Sequence, residues 1–164
     1  MKVYLLNTVT ENEEPAKIAR IQKKEIPLKK NGWNFNWKEL YKIEGAVLYK
    51  ISTNQSPSKV EGVLMLTLFN DEMVFMNNIE LAPHNIGMKK VYDYVAGSLL
   101  AFACQQSFEL GRGSYQGFLS FDSKTELIEL YQNKYGATWA MGHKMYFDPV
   151  AGKKLMKAYL GTNK

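Results

Sequence analysis

The stretch from Met73 to Phe108 constrains the chain more than any other. MVFMNNIELAP is an apolar run rich in Val, Phe and Ile that ends sharply at Pro83, and it predicts a strand. Val95, Leu99, Phe102, Ala103 and Phe108 fall roughly on one stripe at helical spacing and predict a helix. Between the two lie Gly87, Lys89 and Lys90, and Ala96-Gly97-Ser98 sits on the first helical turn. A helix N-terminus carries unpaired backbone N–H groups and the positive end of the helix dipole. Small residues there let an anion reach the backbone, and two lysines attract it from a distance. The stretch is therefore a candidate phosphate cradle. The same letters also describe an ordinary strand–loop–helix unit whose small residues serve packing.

With 164 residues, 46% of them hydrophobic and 23% charged, the chain predicts one soluble domain spanning 1–164. Its net charge of +5 favours an anionic partner. The lysines are scattered rather than clustered, so nucleic acid is permitted as a partner but not indicated. A single cysteine, Cys104, excludes an internal disulfide, and with two histidines the chain offers too few ligands for structural zinc. No metal is expected. The start, MKVYLLNTV, lacks the long apolar run of a secretion signal, and no segment reaches membrane-spanning length. The expected location is cytoplasmic.

In chain order, Lys2 to Val9 predicts a strand. Thr10-Glu11-Asn12-Glu13 resembles a helix start, with Pro15 early, Ile18 and Ile21 facing inward and Pro27 as the stop. Lys29 to Gly32 predicts a turn, and Trp33, Phe35 and Trp37 lead into a short helix, Lys38 to Lys42. These rings either pack under the sheet or wall an acceptor pocket. Gly45 to Ser52, Val60 to Phe69 and Met73 to Leu81 form an expected meander. Gly117 to Phe121 follows the long helix as a strand, which predicts locally parallel pairing. Ser123 and Glu126 fit a capping box for a helix running to Tyr135 and stopped by Gly136. Trp139 to Phe147 predicts a strand, broken near Gly142. Pro149 opens a last helix whose apolar face is Val150, Leu155, Met156 and Leu160. The order indicates an α+β fold with a mixed sheet.

Taken together, VFMNNIELAP, YVAGSLLAFA, the Gly117 strand and TELIELYQNKYGA resemble the core of the GNAT N-acetyltransferase superfamily. The resemblance covers roughly Val60 to Phe147. It implies a central mixed, mostly antiparallel sheet flanked by helices, and a single acyl-CoA N-acyltransferase-like domain. The family's pyrophosphate loop is often Gln/Arg-x-x-Gly-x-Gly/Ala. Here Val91 takes the first place, Tyr94 that of the first glycine and Ala96 the last, with Gly97 beside it. Lys124 stands about where many members carry an asparagine facing the pantetheine arm, and Ala137 replaces an aromatic after Gly136.

The resemblance implies direct acetyl transfer from acetyl-CoA to an amine. Lys89, Lys90, Val95, Ala96, Gly97 and Ser98 would hold the cosubstrate, and backbone N–H groups near Leu81 would hold its carbonyl oxygen. The amine must lose a proton, which calls for a base. Glu80, a carboxylate interrupting an apolar strand, is the first candidate and Glu61 the second; Glu80 also reads as an outward-facing side chain. Tyr131 matches the tyrosine that protonates the leaving thiolate in many members, and it also reads as simple core. His84 and His143 are possible bases as well, but one follows Pro83 in a loop and the other has no visible partner, so each reads rather as a surface histidine. The acceptor is a small-molecule or peptide amine, and the edge strands and aromatic segments point to a homodimer. The alternative function is a non-catalytic GNAT-like protein that binds an acyl-CoA or a partner.

Overall fold

A computed structural model describes residues 1–161. The last three residues of the expected 1–164 domain therefore lie outside the described residues. Among the described residues, nine strands form one mixed sheet in the order β6-β1-β2-β3-β4-β5-β7-β9-β8. They are β1 (Lys2–Asn7), β2 (Glu13–Arg20), β3 (Val47–Thr53), β4 (Gly62–Phe69), β5 (Met73–Leu81), β6 (Tyr92–Asp93), β7 (Leu119–Asp122), β8 (Thr138–Met141) and β9 (Lys144–Phe147). The helices are α1 (Trp37–Tyr41), α2 (Val95–Leu110), α3 (Ile128–Leu130) and α4 (Pro149–Tyr159). No helix among the described residues is long and apolar enough to cross a membrane.

The chain forms two compact units. One comprises Met1–Met65 with Asn78–Leu99; the other comprises Leu66–Asn77 with Leu100 onward.

In the first unit the segment expected to be a helix at Thr10 is instead a hairpin turn and a strand. The Asn7 side chain accepts hydrogen bonds from the Val9 and Thr10 N–H groups at 3.0 and 3.2 Å, and Glu11 adopts φ 59°. Such an Asx-type turn reverses the chain before any helix can start. Beyond it Ala16 and Ile18 are buried while Pro15 and Lys17 are exposed, the period-two pattern of a strand. Pro15 lies opposite Tyr4 in the antiparallel β1–β2 ladder. Ile21 still joins the core, a cluster with Ile26, Trp33, Trp37, Leu48, Val63, Met65 and Ala82. Trp33 and Trp37 thus take the packing role, with Phe35 set edge-on to Trp37 at 5.8 Å between ring centres.

In the second unit β5 pairs in parallel with β7 over Val74–Met76 and Leu119–Phe121. β7 pairs antiparallel with β9, and β9 with β8. The strand expected from Trp139 to Phe147 is broken at Gly142 as anticipated, the break being a hairpin turn in which Gly142 holds φ 55°, which suits glycine. The capping box at Ser123 does not form. The Ser123 N–H is bound to His143 O at 2.8 Å and its hydroxyl donates to Lys124 O, so Ser123 extends the β7–β9 pairing. Lys124 then precedes a 3-10 turn, Thr125–Leu127. α4 begins as expected at Pro149, capped by the Asp148 carboxylate on Ala151 N at 2.8 Å. Its buried face is Gly152 and Leu155; Val150 is 64% exposed, because it lies on the solvent side. Gly152 sits over Cys104 of α2, where an added Cβ would come within 3.3 Å of the Cys104 Cβ. Burial raises the Cys104 thiol to about 12.

Candidate active site

The start of α2 is the expected cradle. Its first helical hydrogen bond runs from Ser98 N to Tyr94 O at 2.9 Å. The N–H groups of Val95, Ala96 and Gly97 therefore have no acceptor within the helix. Tyr94, which stands where the GNAT-type loop carries glycine, holds φ at +73°. A bulky residue is rarely found in that region, which costs about 1–2 kcal/mol. The left-handed turn needed at this point is thus present without the glycine.

The preceding loop is fixed at several points. Val91 N donates to His84 O at 2.9 Å, Thr8 N to Val91 O at 3.0 Å, and Tyr92 N to the Asn85 side chain at 3.0 Å. Lys90 pairs with Asp93 at 3.3 Å, whereas Lys89 is exposed. Val95, Gly97 and Ser98 are buried, and the Ser98 Oγ has no hydrogen-bond partner among the described residues. Small side chains, free N–H groups and an orphaned hydroxyl fit a phosphate-bearing cosubstrate.

Glu80, 7% exposed near the end of β5, is fully engaged. Its carboxylate accepts from Asn34 N at 2.6 Å, Phe35 N at 3.1 Å and the Trp37 indole at 2.8 Å. Three N–H donors stabilise the charged form and hold the aromatic segment against β5.

Glu61, just before β4, is 1% exposed. Its carboxylate meets the Nε2 of His84, and the Asn85 side chain donates to it at 3.2 Å. His84, expected on the surface, is instead partnered with its ring one-third exposed (33%). The adjacent Gly62 lies beneath α2: a Cβ there would come within 2.9 Å of Val95 Cγ1.

In the other unit Tyr131 opens a π-helical turn, Tyr131–Tyr135, ended by Gly136 at φ 83°. Such turns concentrate at functional sites. Its ring packs on Phe121 at 4.9 Å, and its hydroxyl makes no hydrogen bond among the described residues. Burial, then the neighbouring Tyr135, raises its pKa above the ordinary phenol range, so it keeps its proton at neutral pH. His143 is exposed and has a partner, its Nδ1 donating to Ser123 O at 2.8 Å. Lys124 borders a cleft of about 680 Å³ with Ser123, Gly142 and Lys144.

Comparison with solved structures decides the architecture. The AtaT–AtaR complex bound to DNA superposes with a TM-score of 0.61 at 14% identity, covering 85% of this chain and 99% of that one. AtaTR bound with acetyl-CoA gives 0.57 at 12%, covering 86% and 98%. Mutant forms of the spermidine/spermine N-acetyltransferase SpeG from Vibrio cholerae give 0.58 at 12%, covering 85% and 96%. The chain has the GNAT acetyltransferase fold. No protein-family model and no curated protein sequence matches it.

From sequence, α2's first turn, Glu80 and Tyr131 stood out as candidates, while the pairing of His84 with Glu61 did not. Twenty-three positions separate those two residues in the chain. The available signal was a carboxylate heading the apolar run GVLML, a place where an unpaired charge is unfavourable.

Proposed function

We propose that the protein is an acetyl-CoA-dependent N-acetyltransferase that moves an acetyl group directly to the amine of a small molecule or peptide. The observation that carries this reading is the open first turn of α2, preceded by a left-handed Tyr94. In this reading Val95, Ala96, Gly97 and Ser98 hold the pyrophosphate, Lys89 and Lys90 attract it, and the backbone at Leu81 receives the acetyl carbonyl. Tyr131 is assigned as the acid for the leaving thiolate, because its phenol is protonated and its hydroxyl uncommitted. Glu80, the first base candidate from sequence, anchors the 34–37 segment, with its carboxylate accepting from Asn34 N, Phe35 N and the Trp37 indole. Residues 1–164 act as one cytoplasmic domain, able to pair as a homodimer. No metal takes part in this reading.

A second reading, an acyl-CoA-binding protein without transfer, is favoured by one observation. Asp93 already places a carboxylate at the start of α2, on Tyr94 N at 2.8 Å.

A thermal melt with acetyl-CoA, followed by thiol release with a panel of polyamines and amino acids, separates the two. Ligand at a hundred times its dissociation constant stabilises the native state by about 2.7 kcal/mol, or roughly 5–10 °C for a chain of this length. A shift of that size with thiol release supports transfer, and a shift without release supports the binder. No shift at millimolar acetyl-CoA overturns both.

A further inference from the structure

We infer that His84, oriented by Glu61, is the general base that deprotonates the acceptor amine; this rests on the acetyltransfer reading above. The Glu61 carboxylate is almost wholly out of water, so it needs N–H donors. Asn85 supplies one and the His84 Nε2 supplies the other. With its proton on Nε2 facing a carboxylate, the imidazole carries its lone pair on Nδ1. That nitrogen has no partner among the described residues, and the ring keeps one-third of its surface in solvent. A buried carboxylate setting the tautomer of a partly open imidazole is the arrangement by which such rings become bases at neutral pH.

The ring is also held in place. Pro83 precedes it, Val91 N closes on its carbonyl, and Asn85 is fixed by Ala82 O on its own N–H and by Tyr92 N on its side chain. Glu61 and Gly62 are consecutive, so the residue that orients the imidazole adjoins the residue lying under Val95 at the cradle. Glu80 offers no such opportunity, since among the described residues its carboxylate oxygens are taken up by three N–H donors. Tyr92 also feels the Glu61 charge; its phenol is raised to about 12 and donates to Glu14 at 2.6 Å, so it is neutral at neutral pH.

In the step, Nδ1 takes a proton from the neutral amine as its nitrogen attacks the thioester carbonyl carbon. The C–N bond forms, the C–S bond breaks, and the sulfur leaves as a thiolate that is protonated by the acid assigned above. The imidazolium, balanced by the Glu61 carboxylate, gives its proton to water, and the tyrosinate left by the acid takes one back from water. One amide and one free thiol result.

The test is a pH–rate profile of the wild type, His84→Gln and Glu61→Gln at saturating acetyl-CoA, with the acetyl-CoA melt measured for each. His84→Gln is expected to lose about 100-fold or more in kcat and to lose the acidic limb of the profile, while keeping the melt shift. Glu61→Gln, which alters only the positioning residue, is expected to lose less and to move that limb. Added imidazole is expected to restore part of the rate to His84→Ala. A His84→Gln enzyme within threefold of wild type, with its acidic limb in place, overturns the assignment and leaves the acetyltransfer reading standing. A wild type without melt shift or transfer overturns both.

Discussion

Two glutamates separated by β4 and most of β5 are both hidden from water, yet they hold their surroundings in different ways. Glu80 faces two backbone N–H groups and an indole. None of these donors titrates near neutral pH, so the 34–37 segment is fixed over the whole working range. Glu61 faces an imidazole and an amide, and the segment it organises runs from His84 through Asn85 to Tyr92. Burial alone therefore does not define a carboxylate's role; the protons available around it do. A charge surrounded by permanent donors is an anchor, and one beside an imidazole can take part in proton transfer.

The sharpest way to break the contrast is Glu80→Ala. It strands three donors, two of them backbone, and is expected to cost on the order of 3–5 kcal/mol. Chemical denaturation would show this as a lowered midpoint with an unchanged slope; a loss under about 1 kcal/mol would remove the anchor role. A smaller effect tests the His84 side. The Tyr92 phenol rises from its ordinary 10.0 to about 12, first through burial and then through its hydrogen bond to Glu14. The folded chain keeps this proton where the unfolded chain has lost it. The stabilisation is thus complete below about pH 10 and disappears as pH climbs towards about 12. Melts across that interval should fall less steeply for Tyr92→Phe than for the wild type. Parallel slopes would detach Tyr92 from the network.

The smallest effect is expected from Tyr94→Gly. Relief of the left-handed strain, about 1–2 kcal/mol, is offset by the greater freedom of glycine in the unfolded chain and by lost side-chain contacts. The melting temperature should move by only a few degrees, while acetyl-CoA binding tightens if the tyrosine crowds the cradle. Weaker binding would show instead that the ring supports the ligand.

Much of the fold was legible because local signals agreed with burial. β5 runs from Met73 to Leu81 as its apolar letters and Pro83 imply, and α4 starts at Pro149. The misreadings arose where distant partners overrode local chemistry. Glu13 and Pro15 suit a helix start, but pairing with β1 and with β3 makes that segment a strand. Ser123 and Glu126 suit a capping box, but His143 claims the Ser123 backbone. Among the candidate residues, Glu80 drew attention through an interrupted apolar strand and Tyr131 through a resemblance. His84 could be raised as a base only by its residue type, because its partner Glu61 is placed beside it only by folding.

The left-handed tyrosine before α2 also bears on how relatives of this chain can be found. Glycine is a permit for that backbone turn rather than its cause; here the turn is imposed from outside by Thr8, His84 and Asn85 gripping the loop. Once the shape is secured that way, the permit can lapse and the position becomes free to vary. A search by that glycine passes over a chain like this one, while a search by backbone shape does not.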